Sequence, residues 1–230
     1  MNNYSLNFTV IEQFSSALAF GFLTTIALSM LSIIAGTVLA FPLVRGMLMH
    51  GRLLGALVNG WVNLVRAIPL LVLLTGAYYI TPVLTGLKIN SFLTAAVVFS
   101  VYLSAFVADI LRNAIRSVPE SFVQTGMALG MNRSQLNHHI ILPVVLRGAM
   151  IPVFSMYLSL IKYTSLASAI SVHELLHVAD LIVLQKLRPV EAYTSITVLY
   201  LLIIIPLSLL SRQLESRLGS SSGRNRTYDA

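Results

Sequence analysis

The sequence predicts an all-α polytopic membrane protein with about five transmembrane helices. Of the 230 residues, 57% are hydrophobic and 10% are charged, and the mean hydropathy is +0.84. These values are far from those of soluble domains. The apolar residues fall into long stretches that suit membrane-spanning helices, and a polar segment at 117–143 divides the third stretch from the fourth.

The apolar stretches lie near residues 14–44, 56–80, 92–111, 142–170 and 192–211. Each reaches the length of about 20 residues that a span requires. The first is too long for the core of a signal peptide and follows a segment without Lys or Arg, so we interpret it as an uncleaved helix. In the second, proline interrupts the hydrogen-bond ladder and frees carbonyls that protein or water must satisfy.

The polar segment reads SVPESFVQTGMALGMNRSQLNHHIILP and predicts two short helices joined by a glycine. Ser117 with Glu120, and Asn132 with Gln135, are capping-box patterns that satisfy N–H groups at a helix start. Gly130 stands where a left-handed residue would end the first helix.

Pro143 is predicted to close the second of these helices, since proline cannot continue the hydrogen-bond ladder. His138 and His139 would then end that helix, where the dipole favours cations. This position alone explains the two histidines, although a partner protein bound to the segment would also lie beside them.

The basic residues predict the orientation of the chain. A net charge of +7 would favour nucleic acid in a soluble protein, but in a membrane protein its placement reports topology, so no nucleic-acid partner is expected. The basic residues on the side of the polar segment are Arg45, Arg52, Arg112, Arg116, Arg133, Arg212, Arg217, Arg224 and Arg226. The opposite side carries only Lys88, Lys186 and Arg188, so the N-terminus is predicted outside and the C-terminus in the cytoplasm.

Two runs carry a resemblance to a known family. They are VADILRNAIRSVPESFVQTGMALGMNRSQLNHHIILPVVLRGAMIP at 107–152 and KYTSLASAISVHELL at 162–176. Together they resemble the permease subunits of ABC importers for polar amino acids, such as the histidine, glutamine and arginine permeases. Residues 21–25 and NLVRAIPLLVLL at 63–74 extend this resemblance over nearly the whole chain.

The most specific part of the resemblance is the permease signature. It consists of an EAA triplet, a glycine six residues after the first letter of the triplet, and an Ile-x-Leu-Pro ending. Gly130, Ile140, Leu142 and Pro143 match this spacing, whereas the triplet stands here as QTG at 124–126. An amide therefore replaces the acidic residue of the family, which weakens a salt bridge at this contact but permits a hydrogen bond.

The resemblance implies that segment 112–147 is a cytoplasmic coupling loop. An ATPase subunit would bind it in a surface groove, and closure of two ATPases around ATP would move it as a rigid body. The chain has no G-x-x-x-x-G-K-[ST] motif of its own, so ATP would be bound by that partner and no cofactor is expected. The assigned coupling residues are Gln124, Thr125, Gly126, Ala128, Gly130, His138, His139, Ile140, Leu142 and Pro143. The alternative is that any cytoplasmic loop needs caps and a turn.

Ionisable side chains within spans are candidates for the translocation path, since each costs about 2.5–3.5 kcal/mol to insert and usually lines a cavity or pairs. Arg66 precedes Pro69, and Lys162 opens a segment in which Thr164 and Ser165 supply hydroxyls. The family resemblance places this segment in the outer part of the path. Alternatively, the cations reach the membrane interface and the hydroxyl residues only permit close packing.

One family feature is missing. In several relatives, an acidic residue six positions before the equivalent of Lys162 pairs with the ammonium group of the amino acid, and the matching position here is Met156. Asp109 on the third span is one substitute. Our hypothesis is instead that a partner permease subunit supplies the anion, or that the binding protein alone selects the substrate.

Two other classes of protein compete with this interpretation. His173, Glu174 and His177 match the H-E-x-x-H pattern of zinc proteases, but no downstream acid has a defensible spacing as third ligand. A transporter driven by an ion gradient would show internal repeats and paired broken helices, and no second copy of the Arg66–Pro69 break is found.

The sequence therefore predicts a non-enzymatic permease domain at 1–218 in a bacterial inner membrane, followed by a disordered tail at 219–230. Five spans are few for a pore, so a second permease subunit, identical or different, is expected. The resemblance also implies an extracytoplasmic solute-binding protein that delivers a polar amino acid to the loops at 81–91 and 171–191.

Overall fold

A computed structural model describes residues 5–49, 52–86 and 90–219, and these ranges form helices joined by short turns, without a β-strand. The helices are α1 (Thr9–Glu12), α2 (Ser15–Leu48), α3 (Arg52–Ala67), α4 (Leu70–Thr85), α5 (Ser91–Arg116), α6 (Glu120–Ala128), α7 (Arg133–Leu136), α8 (Leu142–Tyr163), α9 (Leu175–Lys186) and α10 (Pro189–Gly219). A π-helical turn at Asn137–Ile141 precedes α8, and a 3₁₀ segment at Thr164–Ile170 follows it. The all-α prediction is confirmed.

Within the described ranges, four helical stretches are long and apolar enough to cross a membrane. They are α2, α5, the continuous run Arg133–Ile170, and α10 over Pro189–Ser216. The bent pair α3–α4 brings the count to as many as five if it forms one broken span. The prediction of about five spans is confirmed.

The second span differs from its prediction as a single stretch over 56–80. The chain bends by 100° between α3 and α4, at Ile68 and Pro69. Proline has no N–H to continue the ladder of α3, and Pro69 instead takes the N-cap position of α4. Its own carbonyl accepts hydrogen bonds from Val72 N at 2.9 Å and Leu73 N at 3.1 Å and so begins the hydrogen-bond ladder of α4.

Helix α5 is the centre of the main core, and α2, α3, α4 and α8 pack around it. Phe99 and Leu103 of α5 are completely buried. On α2, a Cβ atom at Gly36 would lie 2.9 Å from the Ser100 carbonyl oxygen, so glycine permits the close approach of these two helices. Small residues at such contacts suit association in lipid, where tight packing replaces the hydrophobic effect.

A second apolar cluster lies around α9, between α2 and α10. Its buried members include Leu18 of α2, Ile182 of α9 and Ile196 of α10. Helix α10 continues to Gly219, which is the first residue of the predicted tail. The remaining tail residues, 220–230, lie outside the described residues, as do 87–89 of the predicted outer loop.

Candidate functional site

The polar segment forms the compact helix–glycine–helix unit that the sequence predicts, and we call α6, α7 and the turn between them the elbow (120–136). Gly130 has φ +75°, in the left-handed region that favours glycine. Gln135 N donates to Asn132 Oδ1 and Asn132 N donates to Gln135 Oε1, both at 2.9 Å. The left-handed glycine and this capping box are confirmed.

The capping box predicted at the start of α6 is wrong. Ser117 is the C-cap of α5, and its hydroxyl donates to the Ala114 carbonyl at 2.9 Å. Pro119 is extended and occupies the N-cap position of α6 without a side-chain cap. A proline also disfavours helical geometry in the residue before it. Helix α5 therefore ends before Pro119 and α6 begins at Glu120, so Ser117 caps the end of α5 and not the start of α6.

Gly126 packs at the contact between α6 and the helix that follows it. It is buried, and a Cβ atom there would clash with Leu136 Cδ2 and lie 2.7 Å from Ile140 Cδ1. The sequence marked Gly126 as a departure from the signature triplet without revealing this contact. The available signal for this contact was the small size of the residue, alanine or glycine, at the third position of the triplet.

The second helix of the polar segment does not end at Pro143, in contrast to the prediction. The π-helical turn Asn137–Ile141 joins α7 to α8, so the helical run is continuous from Arg133 to Ile170. Pro143 lies in the first turn of α8, where the absence of its N–H is tolerated. His138 and His139 therefore lie inside a helical run and not at its C-terminus, so the dipole explanation for them is wrong.

The surface of the elbow is apolar in places where a solvated loop would be polar. Phe122 is 49% exposed, Met127 57% and Leu129 76%. Most of the assigned coupling residues are exposed beside them: Gln124, Thr125, Ala128, Gly130, His138, His139 and Leu142. Exposed apolar side chains rimmed by polar ones are typical of a protein-binding surface, and sequence reasoning did not single out these three.

Two of the predicted path residues meet at the break between α3 and α4. Arg66 Nη1 lies 2.7 Å from Asp109 Oδ2, and Arg112 Nη1 lies 3.9 Å from Asp109 Oδ1. Asn113 Nδ2 also donates to Asp109 Oδ2 at 3.3 Å. The carboxylate of Asp109 is therefore already paired with cations of this chain.

Aromatic rings extend from this ion pair toward Lys162. The Arg66 guanidinium lies 5.2 Å from the centroid of the Phe106 ring, a cation–π distance. The centroids of Phe106 and Tyr102 are 4.7 Å apart, and those of Tyr102 and Tyr163 are 6.3 Å apart. Sequence reasoning missed these rings, because no local pattern distinguishes an aromatic residue in a path from one in a core.

The remaining path candidates lie on α8 and the 3₁₀ segment. Lys162 is exposed, and Met156 packs against the main core. Thr164 is buried and donates to the Ile161 carbonyl at 2.7 Å, whereas Ser165 donates to the Lys162 carbonyl at 2.8 Å. The two hydroxyl donors are thus used by the preceding turn, and their oxygens remain able to accept.

The H-E-x-x-H residues do not have the arrangement of a zinc protease. His173 and Glu174 precede α9, and Glu174 is its N-cap, accepting from Leu176 N at 2.9 Å and His177 N at 2.8 Å. Tyr200 OH also donates to Glu174 at 2.9 Å. The carboxylate is committed to these donors, and the described residues contain no group of three metal ligands.

The pKa of the Glu174 carboxyl is raised from 4.5 to about 7, chiefly because the side chain is buried. The hydrogen bonds from Leu176, His177 and Tyr200 lower this pKa, and the charge of Asp180 raises it further. Burial also lowers the pKa of His177, and the neighbouring His173 adds to this effect. The start of α9 therefore carries a buried carboxyl with a pKa near neutral pH.

Raising the pH from 5.5 to 8.5 should destabilise the parent chain relative to the Glu174→Gln variant. The pKa of Glu174 is higher in the folded chain than in the unfolded chain, so the protonated carboxyl stabilises the fold. This contribution is complete below pH 4.5 and is lost as the pH rises through about 7. About 2 kcal/mol of stability is lost between pH 5.5 and 8.5, out of about 3 kcal/mol over the whole interval from below pH 4.5 to above pH 7. Thermal unfolding in detergent at a series of pH values measures it, and the same pH dependence in both chains would contradict the assignment.

The fold and the elbow together define a polytopic permease subunit. Residues 32–220 match the family model described as "Binding-protein-dependent transport system inner membrane component", and the chain belongs to this family. It is therefore a multi-pass inner-membrane transport subunit, and the resemblance stated from the sequence is confirmed. Membership of this family supports neither of the two alternative interpretations, the zinc protease and the transporter driven by an ion gradient.

Individual relatives agree with this assignment. The chain is 31% identical to the glutamine transport system permease protein GlnP of Escherichia coli (strain K12), over 69% of this chain and 73% of the relative. It is 32% identical to the L-cystine transport system permease protein TcyB of Bacillus subtilis (strain 168), over 90% of this chain and 88% of the relative. Both relatives are aligned over most of their length.

A solved structure shares the fold. The crystal structure of an amino acid ABC transporter with histidines superposes with a TM-score of 0.86 and 21% identity. The match covers 93% of this chain and all of that chain. At this identity the comparison establishes the helical architecture, which agrees with the sequence prediction.

Proposed function

We propose that this subunit translocates polar amino acids or related small zwitterions, using energy that a separate ATPase delivers through the elbow. The relatives named above are permeases for glutamine and cystine, which supports a substrate with both an ammonium and a carboxylate group. In this proposal the chain makes and breaks no bond in the substrate. ATP is bound by the partner ATPase, and the chain itself needs no cofactor.

The observation that carries the coupling role is the surface of the elbow. Its glycine turn, capping box and buried Gly126 contact hold two helices in one arrangement, while Phe122, Met127 and Leu129 remain exposed. A groove on an ATPase subunit would cover these apolar side chains. Because α7 continues into α8, movement of the elbow would be passed directly to a membrane span.

Selection of the substrate would depend mainly on proteins outside this chain. Met156 cannot pair with an ammonium group, and Asp109 is already held by Arg66. We therefore infer that an extracytoplasmic binding protein selects the ligand, or that a second permease subunit supplies the missing anion. The second subunit would complete the pore as a homodimer or heterodimer, and two elbows would then engage two ATPase subunits.

The proposed orientation follows from the basic residues. With the N-terminus outside and the C-terminus in the cytoplasm, the elbow faces the ATPase. The 3₁₀ segment and α9 then lie toward the outer side, where the binding protein docks. Protease accessibility of tags placed at the two ends of the chain in sealed vesicles tests this topology.

The Gly130→Trp variant should insert in the membrane but lose its ATPase. Gly130 has a left-handed backbone and open space around it, so a bulky side chain strains the turn and projects from the elbow surface. We expect at least tenfold less ATPase to copurify with the tagged variant in detergent than with the parent chain, since strain and occlusion each exceed about 1 kcal/mol.

Gly86→Trp is the matched control. Gly86 also has a left-handed backbone, φ +69°, and open space around it, but it caps α4 away from the elbow. This variant carries comparable backbone strain and should retain the ATPase. If Gly130→Trp keeps normal ATPase binding and normal uptake, the coupling role of the elbow is wrong.

A further inference from the structure

The N-terminus of α9 is the point at which three helices meet around one buried carboxylate. Glu174 has no exposed surface. Its oxygens accept two backbone N–H groups of α9, and Oε2 also accepts the Tyr200 hydroxyl of α10. One side chain therefore both starts α9 and ties it to α10.

Helix α2 meets the same point through its backbone. A Cβ atom at Gly21 would lie 3.3 Å from the Glu174 carbonyl oxygen and 3.0 Å from Val178 Cγ2. Four residues further along α2, the buried hydroxyl of Thr25 accepts a hydrogen bond from Leu175 N at 3.3 Å. The absence of a side chain at Gly21 is what lets α2 cross so close to the start of α9.

The 3₁₀ segment that carries Thr164 and Ser165 is joined to this point by a very short connection. Ser171 ends the segment with φ +60°, an uncommon left-handed conformation for a residue other than glycine. Only two residues separate it from Glu174. Ser168 of the segment also donates to Asp180 Oδ2 of α9 at 3.2 Å, so the segment and α9 are held together at two places.

We propose that Glu174 is a positioning residue for transport: with Tyr200 it forms a latch that holds α9 and the 3₁₀ segment against α10, and the transport cycle opens it. The inference rests on the proposed function, because it assumes that a partner ATPase opens the translocation path for the substrate. The two α9 backbone contacts would move with α9 as a unit. The Tyr200 contact crosses between helices and is therefore the one that opens.

The weak enclosure of α10 supports this choice. Only 6% of its apolar window is buried within the chain, compared with 56% for α5. Where α10 does contact α9, Ala192 and Ile196 join the apolar cluster, and the Tyr200 hydroxyl adds a hydrogen bond to a buried carboxylate. Packed interfaces change between discrete arrangements. The Tyr200–Glu174 hydrogen bond can be present in one arrangement of α9 and α10 and absent in the other.

Tyr200→Phe tests the latch with little change in packing, because it removes only the hydroxyl. The parent and variant chains are purified with the ATPase and second permease subunit, and ATP hydrolysis is measured without binding protein or amino acid. We expect basal hydrolysis to rise about tenfold, the factor that corresponds to losing one hydrogen bond to a charged group. Uptake per ATP hydrolysed in proteoliposomes should fall, with an unchanged yield of assembled complex.

Two further variants separate the latch from a general effect on structure. Glu174→Gln keeps an acceptor for the α9 cap and should raise basal hydrolysis less than Glu174→Ala does. Tyr193→Phe is the matched control, since Tyr193 donates to Asp180 across the same two helices at 3.0 Å but is exposed. Water can replace that contact, so this variant should behave like the parent chain.

Two outcomes would overturn the latch alone: a Tyr200→Phe complex with the basal hydrolysis and uptake of the parent, or activities that fall only in proportion to the amount assembled. A parent chain that neither retains an ATPase nor supports uptake would instead overturn the proposed function and the latch with it.

Discussion

Replacement of Gly126 by leucine should lower ATPase-driven uptake about five- to hundredfold, whereas replacement by alanine should leave most of it. The leucine side chain would have to enter the contact with Leu136 and Ile140 and would force α6 away from the helix that follows. Such overpacking costs about 1–3 kcal/mol, or roughly five- to hundredfold in the population of the native elbow. Uptake in proteoliposomes and copurification of the ATPase measure the effect.

Alanine is the graded comparison, because it adds only a Cβ atom. The atoms that this Cβ meets are the ends of flexible side chains, which can turn away. The signature triplet itself has alanine at this position. Gly60→Leu serves as a control, since Gly60 lies on a helix with open space around it. Normal uptake by Gly126→Leu would show that the spacing of the elbow helices is irrelevant to coupling.

The Asp109→Asn variant should assemble poorly and lose uptake as a consequence. Its asparagine would leave Arg66 without a carboxylate beside the break between α3 and α4. The expected cost is about 2 kcal/mol, below that of a fully buried pair because the Arg66 side chain is 32% exposed. The yield of monodisperse complex and its thermal stability measure this loss.

A compensating double variant sharpens this test. Arg66→Met with Asp109→Leu removes both charges at similar volume and should recover much of the assembly. Glu215→Gln, at an exposed acid on α10, should have no effect. If Asp109→Asn assembles normally and yet fails to transport, Asp109 contacts the substrate, and its pairing with Arg66 is not its main role.

Features that depend on neighbouring residues could be predicted from the sequence. The spans follow from apolar length, and the Asn132–Gln135 capping box and the left-handed Gly130 each need only a few adjacent residues. The errors arose where two local signals competed. Pro69 and Pro143 are both prolines in apolar surroundings, yet one separates two helices and the other lies in the first turn of a helix.

The parts of the site that sequence reasoning missed depend on residues far apart in the chain. The Arg66–Asp109 pair joins α3 to α5, and the Tyr200 contact to Glu174 joins α10 to α9. Their members were visible as polar residues in apolar surroundings, but their pairing was not. Glu174 is the clearest case, because a pattern that suggested a general base marks a helix cap in the fold.

The unbroken helical run from Arg133 to Ile170 has a mechanical consequence. Its 38 residues span about 55 Å at a rise of about 1.5 Å per residue, more than the thickness of the hydrocarbon layer. Such a rod acts as a lever, with α7 of the elbow at one end and the 3₁₀ segment at the other. A tilt too small to disturb packing at its pivot would displace the distant tip, at Thr164 and beyond, by several ångströms.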